Sequence, residues 1–314
     1  MPSKTLLVFA AAFIVLVSGP TLAQERPGPI KLIPHKVAPS VYWVEGGASN
    51  SGFIVGSTGV VVIDAQMNPD AAQVAIAEIA KITPKPVNAV IITHSDPDHV
   101  GGLPAYPSGT AIIEQENSRA AILASAADPA APPMLAALYH NLAANFPATK
   151  LVGESEKVTI AGVQMELIYV APGHSAGDLI IYVPAQKVVF AGDVLTTNTG
   201  QFPIIHVGGS SLGWMEAMRK ILSLKVNAII SGHGAQETRA QIAARLHDVV
   251  ERRAAIKAMV VQGKTLVEIN QALPEKLVNQ MFPSFNQTTF NELQKGYPGD
   301  AKGPWVNIVH RPQP

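Results

Sequence analysis

His94, Asp96, Asp98 and His99 fall within six residues of the stretch Thr93-His94-Ser95-Asp96-Pro97-Asp98-His99-Val100-Gly101-Gly102. Two imidazoles and two carboxylates so close together are the ligand types that hold a divalent cation. A lone histidine in apolar surroundings is usually a satisfied core residue. Four ligating groups in one turn are different, because burying them without a cation would strip each carboxylate of its water. The stretch therefore predicts a metal site. The element that must carry it is Asn88-Ala89-Val90-Ile91-Ile92, an apolar, β-branched run that reads as a buried strand. The ligands would sit where that strand ends and a loop opens. Pro97 is expected to keep the loop from being helical, and Gly101-Gly102 to let it turn tightly.

Three later segments repeat the pattern of an apolar strand ending in a ligand type. Tyr169-Val170-Ala171-Pro172-Gly173-His174 delivers His174, Val188-Val189-Phe190-Ala191-Gly192-Asp193 delivers Asp193, and Ile229-Ile230-Ser231-Gly232-His233-Gly234 delivers His233. A glycine precedes each ligand and permits a sharp turn or a close backbone approach. Seven ligating groups suit two metals better than one, with a carboxylate such as Asp193 between them. The chain has no cysteine, which removes disulfides, thiolate catalysis and every cysteine-containing zinc site. Histidines and carboxylates must do all the binding.

The positioning elements follow in order. Residues 1–23 read as an export signal: Lys4, an apolar run from Leu6 to Val17, a break at Ser18-Gly19-Pro20, and small residues up to Ala23. The apolar run is too short to span a bilayer comfortably, so a periplasmic or secreted protein without stable membrane insertion is expected. Residues 24–40 are Pro-rich and read as an extended arm. From 41 to 235, short strands at 41–44, 52–56, 60–64, 88–92, 110–113, 157–160, 165–170, 179–183, 188–190 and 227–230 alternate with helices. The helices are expected from Asn68-Pro69-Asp70 onward, with Val74, Ile76, Ile79 and Ile82 facing the core, and over 117–126, 134–144 and 214–224. Two β-runs, each interleaved with helices, favour a two-sheet sandwich over one doubly wound sheet. Residues 236–314 predict a helical C-terminal extension, with helices at 239–262, 264–272 and 290–295, packing on the core or shaping the mouth of the site.

Lysine plus arginine and aspartate plus glutamate both number 23 in 314 residues, giving zero formal net charge. A nucleic-acid partner is not expected from such a balance, and the implied partner is a small-molecule substrate.

The order His-x-Asp-x-Asp-His at 94–99, Gly-His-Ser-x-Gly-Asp at 173–178, Phe-Ala-Gly-Asp at 190–193 and Ser-Gly-His-Gly at 231–234 resembles the metallo-β-lactamase superfamily. The resemblance covers about residues 41–235. It implies an α/β fold, an αββα four-layer sandwich with the site at one edge of the two sheets. It also implies that His94, Asp96 and His174 hold one metal, that Asp98, His99 and His233 hold a second, and that Asp193 is shared. Most of the superfamily has histidine where this chain has Asp96. A harder, more negative ligand lowers that metal's Lewis acidity and eases binding of iron or manganese. The flavodiiron branch carries glutamate there, together with a flavin domain for which the helical tail here is too short. Two zinc ions are the expected cofactors, with iron or manganese the alternative.

Two metals sharing a water would lower its pKa to about 7, and the hydroxide would attack a carbonyl carbon or a phosphorus or sulfur centre. Asp98 is expected both to ligate and to orient the nucleophile. Asp178 either holds a ligand imidazole from behind or caps its own turn. Ser175 is read as a turn residue. His206, in Gln201-Phe202-Pro203-Ile204-Ile205-His206, is the candidate for contacting substrate or protonating the leaving group. His35, His140, His247 and His310 are expected on the surface or in the core. Export and the run Gly208 to Trp214 resemble the β-lactam-hydrolysing members, so a β-lactam or lactone is the first substrate class. Sulfate-ester or phosphodiester hydrolysis would use the same core, and an iron-dependent redox protein and a metal-binding accessory protein are the readings from other classes.

Overall fold

The computed structural model describes residues 29–170, 172–197, 202–206, 208–276 and 283–295. Residues 1–23, read as an export signal, and His310 lie outside the described residues.

The first sheet is built around Val60–Ile63, a strand buried on both faces. β1 (Leu32–Ala38), β2 (Val41–Gly46), β3 (Ser51–Val55) and β4 (Val60–Ile63) form an antiparallel meander, and β5 (Val87–Ile91), β6 (Ala111–Gln115) and β7 (Lys150–Val152) continue it in parallel, giving the seven-stranded order β1-β2-β3-β4-β5-β6-β7. The second sheet has five strands in the order β12-β11-β10-β9-β8: β8 (Glu156–Ile160), β9 (Val163–Tyr169), β10 (Leu179–Val183), β11 (Val188–Phe190) and β12 (Ala228–Ile230). Side chains alternate between layers, as the two-residue strand period requires. Val61, Ile63, Ala89 and Ile91 meet Leu179, Ile181, Val188 and Phe190 between the sheets. Val60, Val62, Val90 and Ile92 face the helices α1 (Pro69–Ile82), α3 (Glu116–Ala127) and α4 (Pro133–Asn145). Ile180, Tyr182, Val189 and Ile229 face α5 (Ser211–Ser223), α6 (Arg239–Val261), α7 (Leu266–Ala272) and α8 (Phe285–Lys295). The result is helix, sheet, sheet, helix, with C-terminal helices built into the outer layer.

Three local expectations need correction. Pro97 does not exclude a helix: it occupies the first turn of a short one, α2 (Pro97–Val100), N-capped at Asp96. At that position its missing N–H is no loss and its fixed φ suits the helix. The Pro-rich arm contains β1, the edge strand, where proline is tolerated because one side of the strand is unpaired. In α1 the buried face is Ala71, Ala72, Ala75 and Ile79, and Ile82 is 40% exposed. Alanines let that helix approach the sheet closely, which turns the larger residues to the flank. β7, three residues long, had no legible strand period. Among the described residues no helix is long and apolar enough to cross a membrane.

Candidate metal centre

The loops leaving β5, β9, β11 and β12 meet at one edge of the sandwich and bring all seven expected ligands together. His94, Asp96 and His174 form one group in which every candidate donor atom lies within 4.8 Å of the others, and Asp98, His99 and His233 form a second. Asp193 joins them: its Oδ1 is 3.2 Å from His99 Nε2, and its Oδ2 is 3.0 Å from His233 Nε2 and 3.9 Å from His174 Nε2. Gly192, with φ of 54°, turns the chain so that Asp193 points into the cluster, and a Cβ at this glycine would strike the Thr93 side chain. Gly232 passes so close to Asp193 that any side chain there would collide with its carboxylate.

Each metal-loop histidine has one ring nitrogen spent on a neighbour. His94 Nδ1 lies 3.0 Å from Thr93 Oγ1, and His99 Nδ1 lies 2.9 Å from Asp64 Oδ2. Their Nε2 atoms, like Asp193 Oδ1, are buried with no hydrogen-bond partner. Orphaned buried polar atoms are costly, yet here they face one another across gaps such as 3.4 Å from His94 Nε2 to Asp96 Oδ2 and 3.5 Å from His99 Nε2 to Asp98 Oδ2. Donors bound at about 2.0–2.2 Å to a shared tetrahedral ion would be separated by roughly such distances. The residues fit a metal.

The electrostatics agree. Burial opposes charge on both His174 and His233, but the carboxylates overcome it. Asp96 and Asp193 lift His174 to about 9, and Asp193 and Asp98 lift His233 to about 10. Burial also works against charge on His99, which Asp193, Asp64 and Asp98 nonetheless hold well above the usual imidazole range. Burial would raise Asp96 and Asp193, but the histidines around them hold both well below the ordinary carboxylate range. Protons and cations thus compete for the same anionic pocket.

Residues behind the candidate ligands include three the sequence did not single out. Asp64 follows β4 in a left-handed conformation, φ 62°, and its carboxylate accepts from Thr93 N–H at 2.8 Å, from the Thr93 hydroxyl at 2.9 Å, and faces His99. It too ends an apolar strand, the same signal that revealed the ligands. The β2–β3 turn supplies the other two. Ser49 donates to the Asp98 carbonyl at 2.6 Å, and Asn50 Nδ2 donates to the Ser231 and Gly234 carbonyls, tying the loops of Asp98 and His233 together.

Asp178 resolves in favour of the turn. It accepts from the backbone of Gly173 and Ser175 and from the Ser175 hydroxyl at 2.5 Å, so it shapes the loop around His174 and makes no hydrogen bond to an imidazole. His174 Nδ1 instead faces the Ile204 carbonyl at 2.9 Å. His206 is brought to the centre: its Nδ1 is 3.0 Å from Asp96 Oδ2, with one fifth of its side chain exposed. His35 pairs with Glu45 on the surface, and His140 and His247 are exposed.

The model of the metallo-beta-lactamase superfamily matches residues 44–233, and the chain belongs to that superfamily. Among curated relatives, it is 27% identical over 225 residues to the 2,4-dinitroanisole O-demethylase subunit alpha of Nocardioides sp. (strain JS1661), covering 70% of this chain and 62% of that protein. It is 22% identical over 211 residues to the linear primary-alkylsulfatase of Pseudomonas sp. (strain ATCC 19151), covering 56% of this chain and 39% of that protein. The chain therefore spans less than two thirds of either relative. Among solved structures, the metallo-beta-lactamase from Pontibacter korlensis shares the fold at a TM-score of 0.57 and 17% identity, covering 70% of this chain and 99% of that one. A double mutant of the sec-alkyl sulfatase PisA1 does so at a TM-score of 0.66 and 17% identity, covering 90% of this chain and 52% of that one.

Proposed function

We propose that this chain is an exported metal-dependent hydrolase that opens cyclic amides or esters of the β-lactam or lactone type. The observation that supports this most is the set of buried, partnerless donor atoms of His94, His99 and Asp193 turned towards the other ligating groups. In this reading His94, Asp96 and His174 hold one divalent ion and Asp98, His99 and His233 a second, with Asp193 between them and zinc the first choice of metal. Ions held there would supply hydroxide at neutral pH and polarise the substrate carbonyl. Asp98, kept ionised by His99 and His233, orients the attacking water by accepting a hydrogen bond from it. As the water oxygen bonds to the carbonyl carbon, the ring C–N or C–O bond breaks and the leaving atom needs a proton. His206, partly exposed beside Asp96, is placed to hold and deliver it. Asp96 in place of the usual histidine favours iron or manganese more than the common ligand set would. The export-signal pattern of residues 1–23 supports a periplasmic or secreted location.

Sulfate-ester hydrolysis is the second reading. Alkylsulfatase PisA1 structures cover 90% of the chain, whereas β-lactamase structures cover 69–70%. The test is chelator-sensitive turnover of a chromogenic cephalosporin, an aromatic lactone, an alkyl sulfate and a nitroaryl methyl ether in parallel. Turnover of the first two supports the proposal, and turnover of the sulfate alone replaces it with the second reading. Bound iron with oxygen consumption and no hydrolysis contradicts both in favour of redox chemistry, and bound metal with no turnover of any kind makes this a metal-binding accessory protein.

A further inference from the structure

His174 is held from behind by a segment that belongs to no sheet. Its Nδ1 faces the Ile204 carbonyl, the His206 N–H donates to the His174 carbonyl at 2.7 Å, and the Ser210 N–H donates to the Gly173 carbonyl at 3.0 Å. Gly209 lies so tightly against the His174 backbone that a Cβ would collide with its carbonyl. The same segment sets the His206 imidazole on Asp96. Its placement decides both the orientation of one candidate ligand and the environment of another.

The C-terminal helices grip this segment at both ends. At the start, the Phe202 ring stacks on Phe285 of α8 with centroids 5.3 Å apart, and the Arg252 guanidinium of α6 lies 4.4 Å over the Phe202 ring. At the end, the Ser211 N–H donates to Glu292 Oε1 at 2.7 Å, the Ser211 hydroxyl donates to the same carboxylate, and Arg253 Nε donates to the Ser211 oxygen at 3.0 Å. Glu292 and Arg253 are both buried. A buried carboxylate and guanidinium are costly to desolvate and are poor devices for stability alone. Their shared target is the first residue of α5, immediately after the segment that holds His174. The Glu292 carboxylate also sits at the positive end of that helix.

We propose that the C-terminal helices brace the metal centre, with Phe202, Glu292 and Arg253 as positioning residues that act on His174 and His206 through the segment between them. The proposal rests on the metal-centre reading above. It gives the extension a definite role: it fixes both ends of the segment whose Ile204 carbonyl faces His174 Nδ1. Partners that orient ligating histidines are worth about 10- to 100-fold in metal affinity, and a brace one layer further out is expected at the lower end of that range.

The test is a titration of the metal-free full-length protein with Co(II), followed by its visible absorption, for wild type, Phe202→Ala, Glu292→Gln and a control, Glu237→Gln. Glu237 pairs with Arg245 in the same extension. Thermal melting of each variant measures stability separately. Phe202→Ala and Glu292→Gln should weaken one cobalt equivalent about tenfold and change its absorption, leaving the other equivalent and the control as in wild type. Unchanged affinity and absorption in both variants, or an equal loss in Glu237→Gln, would overturn the brace while leaving the metal centre standing. A wild type that takes up no cobalt would overturn the metal-centre reading and the brace with it.

Discussion

His99 has one nitrogen committed to Asp64 and one left bare, and the bare one is useful only if the committed one fixes the ring. Asp64 accepts three hydrogen-bond donors at once, two of them from Thr93, and it does so from a left-handed backbone that asparagine also tolerates. Asp64→Asn should therefore keep the loop but turn an amide N–H towards His99. We expect about 10- to 100-fold weaker zinc binding in a chelator competition, with melting reduced by no more than a single lost buried hydrogen bond would cause, about 1–3 kcal/mol. Proton competition gives a second prediction at this scale. His174 and His233 titrate at about 9 and about 10 in the metal-free protein, above the ordinary 6.5. Their contribution to stability is complete below pH 6.5 and is lost as pH rises through 9–10. Asp96, Asp98 and Asp193 are depressed, so theirs is complete above about pH 4 and lost at lower pH. Metal-free protein should melt highest between about pH 4 and 6.5, whereas zinc affinity should climb from pH 6.5 to 10 as protons leave. Melting and calorimetric titration across that range check both slopes; a zinc affinity independent of pH would count against these assignments.

The candidate ligands follow strands that end in sharp turns, and that is why they could be read from sequence. β5, β11 and β12 announce themselves by β-branched runs, and the glycine before each of Asp193 and His233 is demanded by contacts now visible. Gly192→Ala would force a side chain onto Thr93 from a left-handed position. It should cost about 1–3 kcal/mol and weaken metal binding, measurable by denaturant melting and metal content. By contrast, Asn68→Ala removes the cap that accepts from the Ala71 N–H. It should cost about 1 kcal/mol and leave metal binding unchanged, since α1 supplies no ligand. Other features were illegible for physical reasons. β1 and β7 are edge strands whose pairing depends on a neighbour rather than on their own pattern. Proline at a helix start and proline inside a helix look alike until the cap is known, so the Pro97 helix leaves no clear sequence signal. The Ile82 expectation failed because α1 packs through alanines, which carry little periodic signal. Asp64 obeys the same rule as the candidate ligands, while the grip of Glu292 on Ser211 and of Phe285 on Phe202 joins positions some eighty apart and leaves no local trace.

Taken as a whole molecule, the chain is two sheets whose shared edge collects negative charge that only protons or cations can balance. Four loops from both sheets contribute, so a bound metal would tie the two halves of the sandwich together. Chelation should therefore lower the melting temperature, and zinc at 100 times its dissociation constant should add about 2.7 kcal/mol per independent site. The match over residues 44–233 shows the family, and one fold hosts many chemistries. The metal centre is the claim on which everything else depends. Its most direct measurement is a calorimetric titration of chelator-stripped protein with zinc at neutral pH. Saturation is expected at about two zinc ions per chain. Saturation at one would contradict the paired site with a shared Asp193, and no uptake would contradict the metal centre altogether.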